Sequence, residues 1–179
     1  MIFLETDRLC LRSVEAQDEG VMFDYRNDLR CSRYQRGQKR ARHQIRELIG
    51  KRKDDVLSDQ ANCMVAIALR ETGEMIGEIV VMPQESTFSL GYTLHYAHHR
   101  KGYAFEALSA LVAYLHELQP GWEFISFVHP DNQASMGLLR KLGYRDLGYI
   151  PGMESQVFGK WVHPETVEEV AQAAKKEKQ

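Results

Sequence analysis

Thiols are scarce in this 179-residue chain: Cys10, Cys31 and Cys63 are odd in number and widely spaced. No Cys-x-x-Cys pair exists, which excludes a sequence-local zinc or dithiol site. Each cysteine reads as a small packing residue kept reduced. Net charge is nearly absent too, since 23 Lys+Arg against 25 Asp+Glu leave −2. That balance provides neither the global basic field of a nucleic-acid binder nor the acidic excess of a disordered chain. Long apolar runs are missing: Ile79 to Met82 and Ala110 to Ala113 fall far short of the roughly 20 residues that a bilayer span needs. The opening MIFLETDR carries acidic side chains where a secretory leader would be basic and then apolar. A cytoplasmic protein without membrane association is expected. No repeat or low-complexity linker divides the chain, so one globular domain over 1–162 with a helical tail over 163–179 is expected.

What is present is a regular alternation of strand and helix patterns. Arg8 to Arg12 alternates polar and apolar residues with period two and is predicted as strand one. Val21, Met22, Tyr25 and Leu29 recur at helical spacing and predict one helix over 15–29. A second helix is predicted over 39–52, carrying Ile45, Leu48 and Ile49. Around it lies the chain's one strongly basic stretch, Arg36 to Lys53, which reads as a solvated helix face. Three strands follow, 64–69, 75–82 and 87–95, joined by turn residues into an antiparallel meander. Gly91, inside the last of them, predicts a bulge or a close backbone approach. A long amphipathic helix over 104–118 comes next, then a strand over 122–128 and a helix over 132–142 that Gly143 ends. Strands over 144–149 and 156–162 complete the set, and Pro164 opens a tail helix expected to fray at its end.

The turn His99-Arg100-Lys101-Gly102-Tyr103-Ala104 places small residues just where a strand hands over to a helix N-terminus. Backbone N–H groups converge there with a partial positive charge, which suits an anion. The spacing matches neither a Walker loop nor a dinucleotide turn.

Leu4 to Arg12, Ile76-Gly-Glu-Ile79, Leu90 to His95 with Arg100 to Ala107, and His129 to Ser135 with Leu139 to Tyr144 occur in that order. Together these segments, spanning roughly residues 4–162, resemble the GNAT superfamily of N-acetyltransferases, in particular its RimJ/RimL-like ribosomal-protein branch. The resemblance implies an α/β (α+β) fold: a mixed, mostly antiparallel central sheet of about seven strands, with helices on both faces, splayed between strands four and five. It implies acetyl-CoA as co-substrate and an amine acceptor, either a protein N-terminus or a small-molecule amine. A membrane or nucleic-acid partner is not implied, and a monomer or homodimer is expected.

By the same resemblance the cofactor would meet Tyr92, Thr93, Leu94 and His95 on the splayed strand. His99, Arg100, Lys101, Gly102, Tyr103 and Ala104 would hold its pyrophosphate, with Phe105 also meeting the cofactor, and Asn132 and Ser135 would line its pantetheine arm. The chain departs from the family pattern at His99, where Gln or Arg is usual, and at Leu139, where many relatives carry a tyrosine acid. The reaction needs a base for an ammonium, an oxyanion donor and a partner for the leaving thiolate. Glu78 is taken as the base, with an outward-facing strand carboxylate as the alternative and His95 as a second choice. The Leu94 N–H is taken as the oxyanion donor and Ser135 as the sulfur's partner. The His95, His98 and His99 cluster lacks metal-ligand spacing, and no metal is expected. A coenzyme A-binding module without catalysis is the alternative function.

Overall fold

The computed structural model describes residues 1–176, so the last residues of the tail, 177–179, where fraying is expected, lie outside it. Eight strands form one sheet: β1 (Ile2–Glu5), β2 (Leu9–Ser13), β3 (Cys63–Leu69), β4 (Met75–Gln84), β5 (Thr87–Leu94), β6 (Glu123–Val128), β7 (Arg145–Ile150) and β8 (Ser155–Lys160). Their order is β1-β2-β3-β4-β5-β6-β8-β7, antiparallel throughout except for the parallel β5–β6 pair. The strand beyond the expected number is β1, which folds back on β2 in a hairpin with an irregular register.

Three apolar clusters hold helices to the two faces of this sheet. On one face α4 (Tyr103–Leu118) buries Leu108, Leu111, Val112 and Leu115, and α5 (Gln133–Lys141) buries Met136 and Leu139. Both pack with Ile79, Val81, Phe88 and Phe124 in the largest cluster. Across the sheet, Met22 and Tyr25 of α1 (Glu19–Arg26) and Ile45 and Ile49 of α3 (Arg42–Arg52) cover Met64, Ala66 and Met75. The tail helix α6 (Pro164–Lys175) docks through Val170 on Ile125 and Val157. Glu123 accepts hydrogen bonds from the His163 N–H and the Thr166 hydroxyl at its start, both at 2.8 Å.

The helix expected over 15–29 is divided. A 3-10 turn at Ala16–Asp18 precedes α1, and α2 (Leu29–Ser32) starts afresh because the Asp28 side chain accepts from the Arg30 N–H and so caps it. Leu29 consequently leaves the helical stripe and is exposed. The basic stretch divides as well: residues 36–40 are coil, while Arg42 and Arg46 on α3 pair with Glu19 and Lys51 pairs with Glu47, all on the solvated side.

Candidate active site

The sheet opens where β5 and β6 meet. β5 pairs with β4 in unbroken register from Thr87 to Leu94, but with β6 only at Thr87–Glu123 and Phe88–Phe124. The bulge expected near Gly91 is therefore not in β5. The irregularity lies in β4, where Ile67 faces Gly77 and Ala68 faces Met75, leaving Ile76 unpaired. Close approach falls on Gly77 as well: a Cβ there would stand 2.4 Å from the Thr93 carbonyl oxygen. Only glycine lets β4 pass β5 so tightly at this point.

Antiparallel pairing alternates the direction of successive peptide groups. The His95 N–H donates to the Ile76 carbonyl at 2.8 Å, so residues two apart from it face β4. Leu90, Tyr92 and Leu94 then turn their N–H and C=O groups toward the side that β6 has left. The Gln35 amide donates to the Tyr92 carbonyl at 3.0 Å, and His99 Nε2 lies 2.8 Å from the Leu94 carbonyl oxygen. The Leu94 N–H points into the gap.

That gap is a cleft of about 790 Å³ running from α2 and the coil after it, past β5, to the N-terminus of α4 and the side of α5. Tyr92, Thr93, Leu94, His99, Arg100, Gly102, Tyr103, Ala104, Phe105, Asn132 and Ser135 all line it. At its far end Gly102, with φ of +80°, is the N-cap of α4, and Arg100 is also left-handed at +60°. This backbone leaves the N–H groups of Gly102 to Phe105 without acceptors inside the helix. A side chain at Gly102 would force a left-handed L-residue at the turn.

Arg8 clasps the turn from outside. Its guanidinium donates to the Lys101 carbonyl at 2.9 Å and to Glu106 at 2.7 Å, and lies over the Tyr103 ring at 4.3 Å. The Thr6 hydroxyl donates to the same Glu106 carboxylate at 2.7 Å. Burial raises the Glu106 pKa, but the hydrogen bonds from Thr6 and Arg8 together carry it below the ordinary carboxylate value. Lys101 itself takes part through its carbonyl and does not line the cleft.

Hydroxyl groups occupy the wall on the α4–α5 side. The Tyr92 hydroxyl meets Ser135 Oγ at 2.8 Å, and Asn132 caps α5 by accepting from the Ser135 N–H at 3.2 Å. Burial raises the Tyr92 phenol above its usual pKa, with the hydrogen bond to Ser135 opposing the rise. Ser126 Oγ on β6 is buried and makes no hydrogen bond of ordinary geometry, although the Tyr144 hydroxyl lies close by.

The opposite wall is charged and tied together. Glu78 is buried, neither outward-facing nor facing an open cavity: Oε1 accepts from Arg26 Nη2 at 2.6 Å, and Oε2 accepts from the Tyr25 hydroxyl and from Arg26 Nε. Both oxygens are committed, and burial drives the Tyr25 phenol well above its usual pKa. Arg26 also donates to the Lys39 carbonyl at 3.1 Å, anchoring the coil 33–40. Along that strap the Tyr34 ring stands against His129, and the Gln38 amide reaches toward Thr93 Oγ1 at 3.4 Å. His95 lies outside the cleft lining, with Nε2 2.7 Å from Asp24 and Nδ1 accepting from the Ala97 N–H at 3.1 Å. Among the described residues no group of His, Cys, Asp and Glu gathers as a metal site.

Arg8, Arg26, Gln35 and Gln38 were not singled out in sequence. Arg8 stands within the first-strand pattern, yet nothing local says that it reaches residues 101 and 106.

Residues 8–145 match the family model described as an acetyltransferase (GNAT) domain. The uncharacterized N-acetyltransferase p20 of Bacillus licheniformis is 30% identical over 155 residues, which are 84% of this chain and 86% of that protein. An acetyltransferase from Agrobacterium tumefaciens str. C58 is similar in structure with a TM-score of 0.72 at 25% identity, over 88% of this chain and 92% of the other. The RimL ribosomal L7/L12 alpha-N-protein acetyltransferase, solved in complex with coenzyme A, gives 0.74 at 18% identity over 89% and 97%.

Proposed function

The chain belongs to the GNAT acetyltransferase family and is an acetyl-CoA-dependent acyltransferase; from that premise we propose that it acetylates an α-amine, in the manner of the RimJ/RimL-like branch. The fold neighbour whose printed name describes α-N-protein acetylation supports the branch. The observation that carries the reading is the one continuous cleft, with the unpaired peptide edge of β5 at its centre and the α4 N-terminus at its end.

In this reading the N–H groups of Gly102 to Phe105 and the Arg100 side chain hold the pyrophosphate. The Tyr92 edge pairs with the pantetheine amides, which requires the Gln35 side chain to release the Tyr92 carbonyl, while the Leu94 carbonyl stays with His99. The Leu94 N–H stabilises the oxyanion as the amine attacks the thioester carbonyl. Ser135 meets the departing sulfur, whose thiol pKa of about 8.5 demands little acid assistance.

In this reading Glu78 is not the base. Glu78 has both oxygens occupied and instead positions Arg26 and, through it, the strap. Both nitrogens of His95 are engaged as well. With both candidate bases occupied, the acceptor that suits this site is an amine with an appreciable neutral fraction near pH 7. An α-amine with a pKa near 7.8 meets that demand, and a lysine ε-amine near 10.4 does not.

The test follows thiol release from acetyl-CoA with short peptides against an N-acetylated, lysine-containing peptide as acceptors. At pH 7 the α-amine peptides are expected to turn over about 300 times faster, the ratio of their neutral fractions. Equal rates would mean that a base acts after all.

A further inference from the structure

Tyr92 brings a half-buried phenol to the wall of the cleft, beside Ser135. We propose that Tyr92 is a positioning residue that holds the Ser135 hydroxyl turned toward the leaving sulfur; the inference rests on the reading in which Ser135 meets that sulfur.

Three observations carry it. The Tyr92 hydroxyl and Ser135 Oγ are 2.8 Å apart, joining the splayed strand β5 to the first turn of α5. The Ser135 main chain is fixed independently, since its N–H is held by the Asn132 cap. The phenol is the stronger acid of the two hydroxyls, so it is the donor, and its burial among apolar groups keeps it protonated through the neutral range. Its proton therefore always occupies a lone pair of Ser135 Oγ. The serine's own proton is directed elsewhere, and both side chains line the cleft. A serine without this partner would rotate among its staggered positions and satisfy its proton on nearby backbone carbonyls.

The position is notable because α5 carries Leu139, and not a tyrosine, on the helix face that points at the same cleft. Here the phenol arrives from β5, and it acts one atom removed. The chemistry balances without any proton leaving Tyr92. The acceptor nitrogen's lone pair forms the C–N bond, and the C–S bond breaks with its electron pair going to sulfur. The proton given up by nitrogen balances the one that the thiolate takes up. Ser135 donates a hydrogen bond to sulfur while its charge develops, and Tyr92 ensures that the donor faces it.

The test is a double-mutant cycle on the full chain, with Tyr92→Phe, Ser135→Ala and both together. It is read as kcat and KM with a saturating peptide and as the Kd for coenzyme A. Tyr92→Phe is expected to lower kcat about tenfold, the scale of one misplaced donor, with Kd changed by less than about twofold. Ser135→Ala is expected to lower kcat at least as much, and the double variant no further than Ser135→Ala alone. Independent, multiplying effects would overturn the inference, as would a Tyr92→Phe loss confined to Kd. A slow Ser135→Ala with an unaffected Tyr92→Phe would sink only the role given to Tyr92. An unaffected Ser135→Ala in an active enzyme would remove the sulfur reading and this inference together. Should Tyr92→Phe fail to fold, a crystal structure of the wild-type chain with coenzyme A decides. Ser135 Oγ must stand within hydrogen-bond reach of both the Tyr92 hydroxyl and the thiol sulfur, and a sulfur bonded directly to Tyr92 overturns the proposal.

Discussion

The two walls of the cleft are built by different means. The wall from β5 through the Gly102 turn into α4 is contiguous chain, as is the β6–α5 wall, and its ligand-facing groups are mostly peptide N–H donors and a short-range cap. The opposite wall, made by α1, α2 and the strap 33–40, is held by side chains that reach across 52 residues from Arg26 to Glu78 and 57 from Gln35 to Tyr92. Its outermost tie, Arg36 to Glu154 at 3.7 Å, joins two exposed side chains and contributes little. Backbone donors tolerate almost any side chain except at the turn. A side-chain tie such as Gln35 to the Tyr92 carbonyl can be exchanged singly by substitution, without changing the peptide groups of the turn.

Substitutions can break that contrast, and the largest effect falls on the tied wall. Glu78→Gln leaves the buried Arg26 cation without its counter-charge and is expected to lower unfolding stability by about 3–5 kcal/mol, measured by chemical denaturation. The folded fraction should keep its pH–rate profile, whereas loss of the limb that rises with pH on the acid side would restore Glu78 as the base. Gly102→Val attacks the contiguous wall: acetyl-CoA affinity in calorimetry should fall at least tenfold, with stability reduced by only about 1–2 kcal/mol for the left-handed turn. Unchanged affinity would remove the phosphate site from this turn. Gln35→Ala frees the Tyr92 carbonyl and should tighten coenzyme A binding a few-fold, the worth of one competing hydrogen bond; weaker binding would make the strap part of the cofactor site.

The smallest effect is a pH dependence of the Arg8 clasp. The Glu106 pKa is lower in the fold than in the open chain. Its contribution is therefore complete above the ordinary carboxyl value near 4.3 and is lost as pH falls through the lowered one. Glu106→Gln should remove that contribution, lowering stability near neutrality and flattening stability against pH in the acid window.

Legibility in the sequence followed the same division. The meander over 64–95, the helix over 104–118 and the turn before it were readable because each is specified by neighbours along the chain. Local signals misled where a side chain could choose between alternatives. Leu29 fitted a helical stripe, but the Asp28 cap restarted the chain and left it exposed. Gly91 looked like the irregular glycine, although close approach is required at Gly77, and only the facing Thr93 carbonyl shows why. Glu78 was visible as a strand carboxylate. That Arg26 and Tyr25 would take both of its oxygens depends on how α1 crosses β4, which no local pattern encodes.

The Arg8 clasp also has a consequence for how the molecule is made. Arg8 and Glu106 lie 98 residues apart. At about 5–20 residues per second a ribosome needs roughly 5–20 s to deliver one after the other. For that interval the β1–β2 hairpin lacks α4 to close against, and β2 must wait for β3 before it gains a second strand neighbour. The clasped turn is thus a late product of synthesis, completed only when Arg8 meets a helix made 98 residues later.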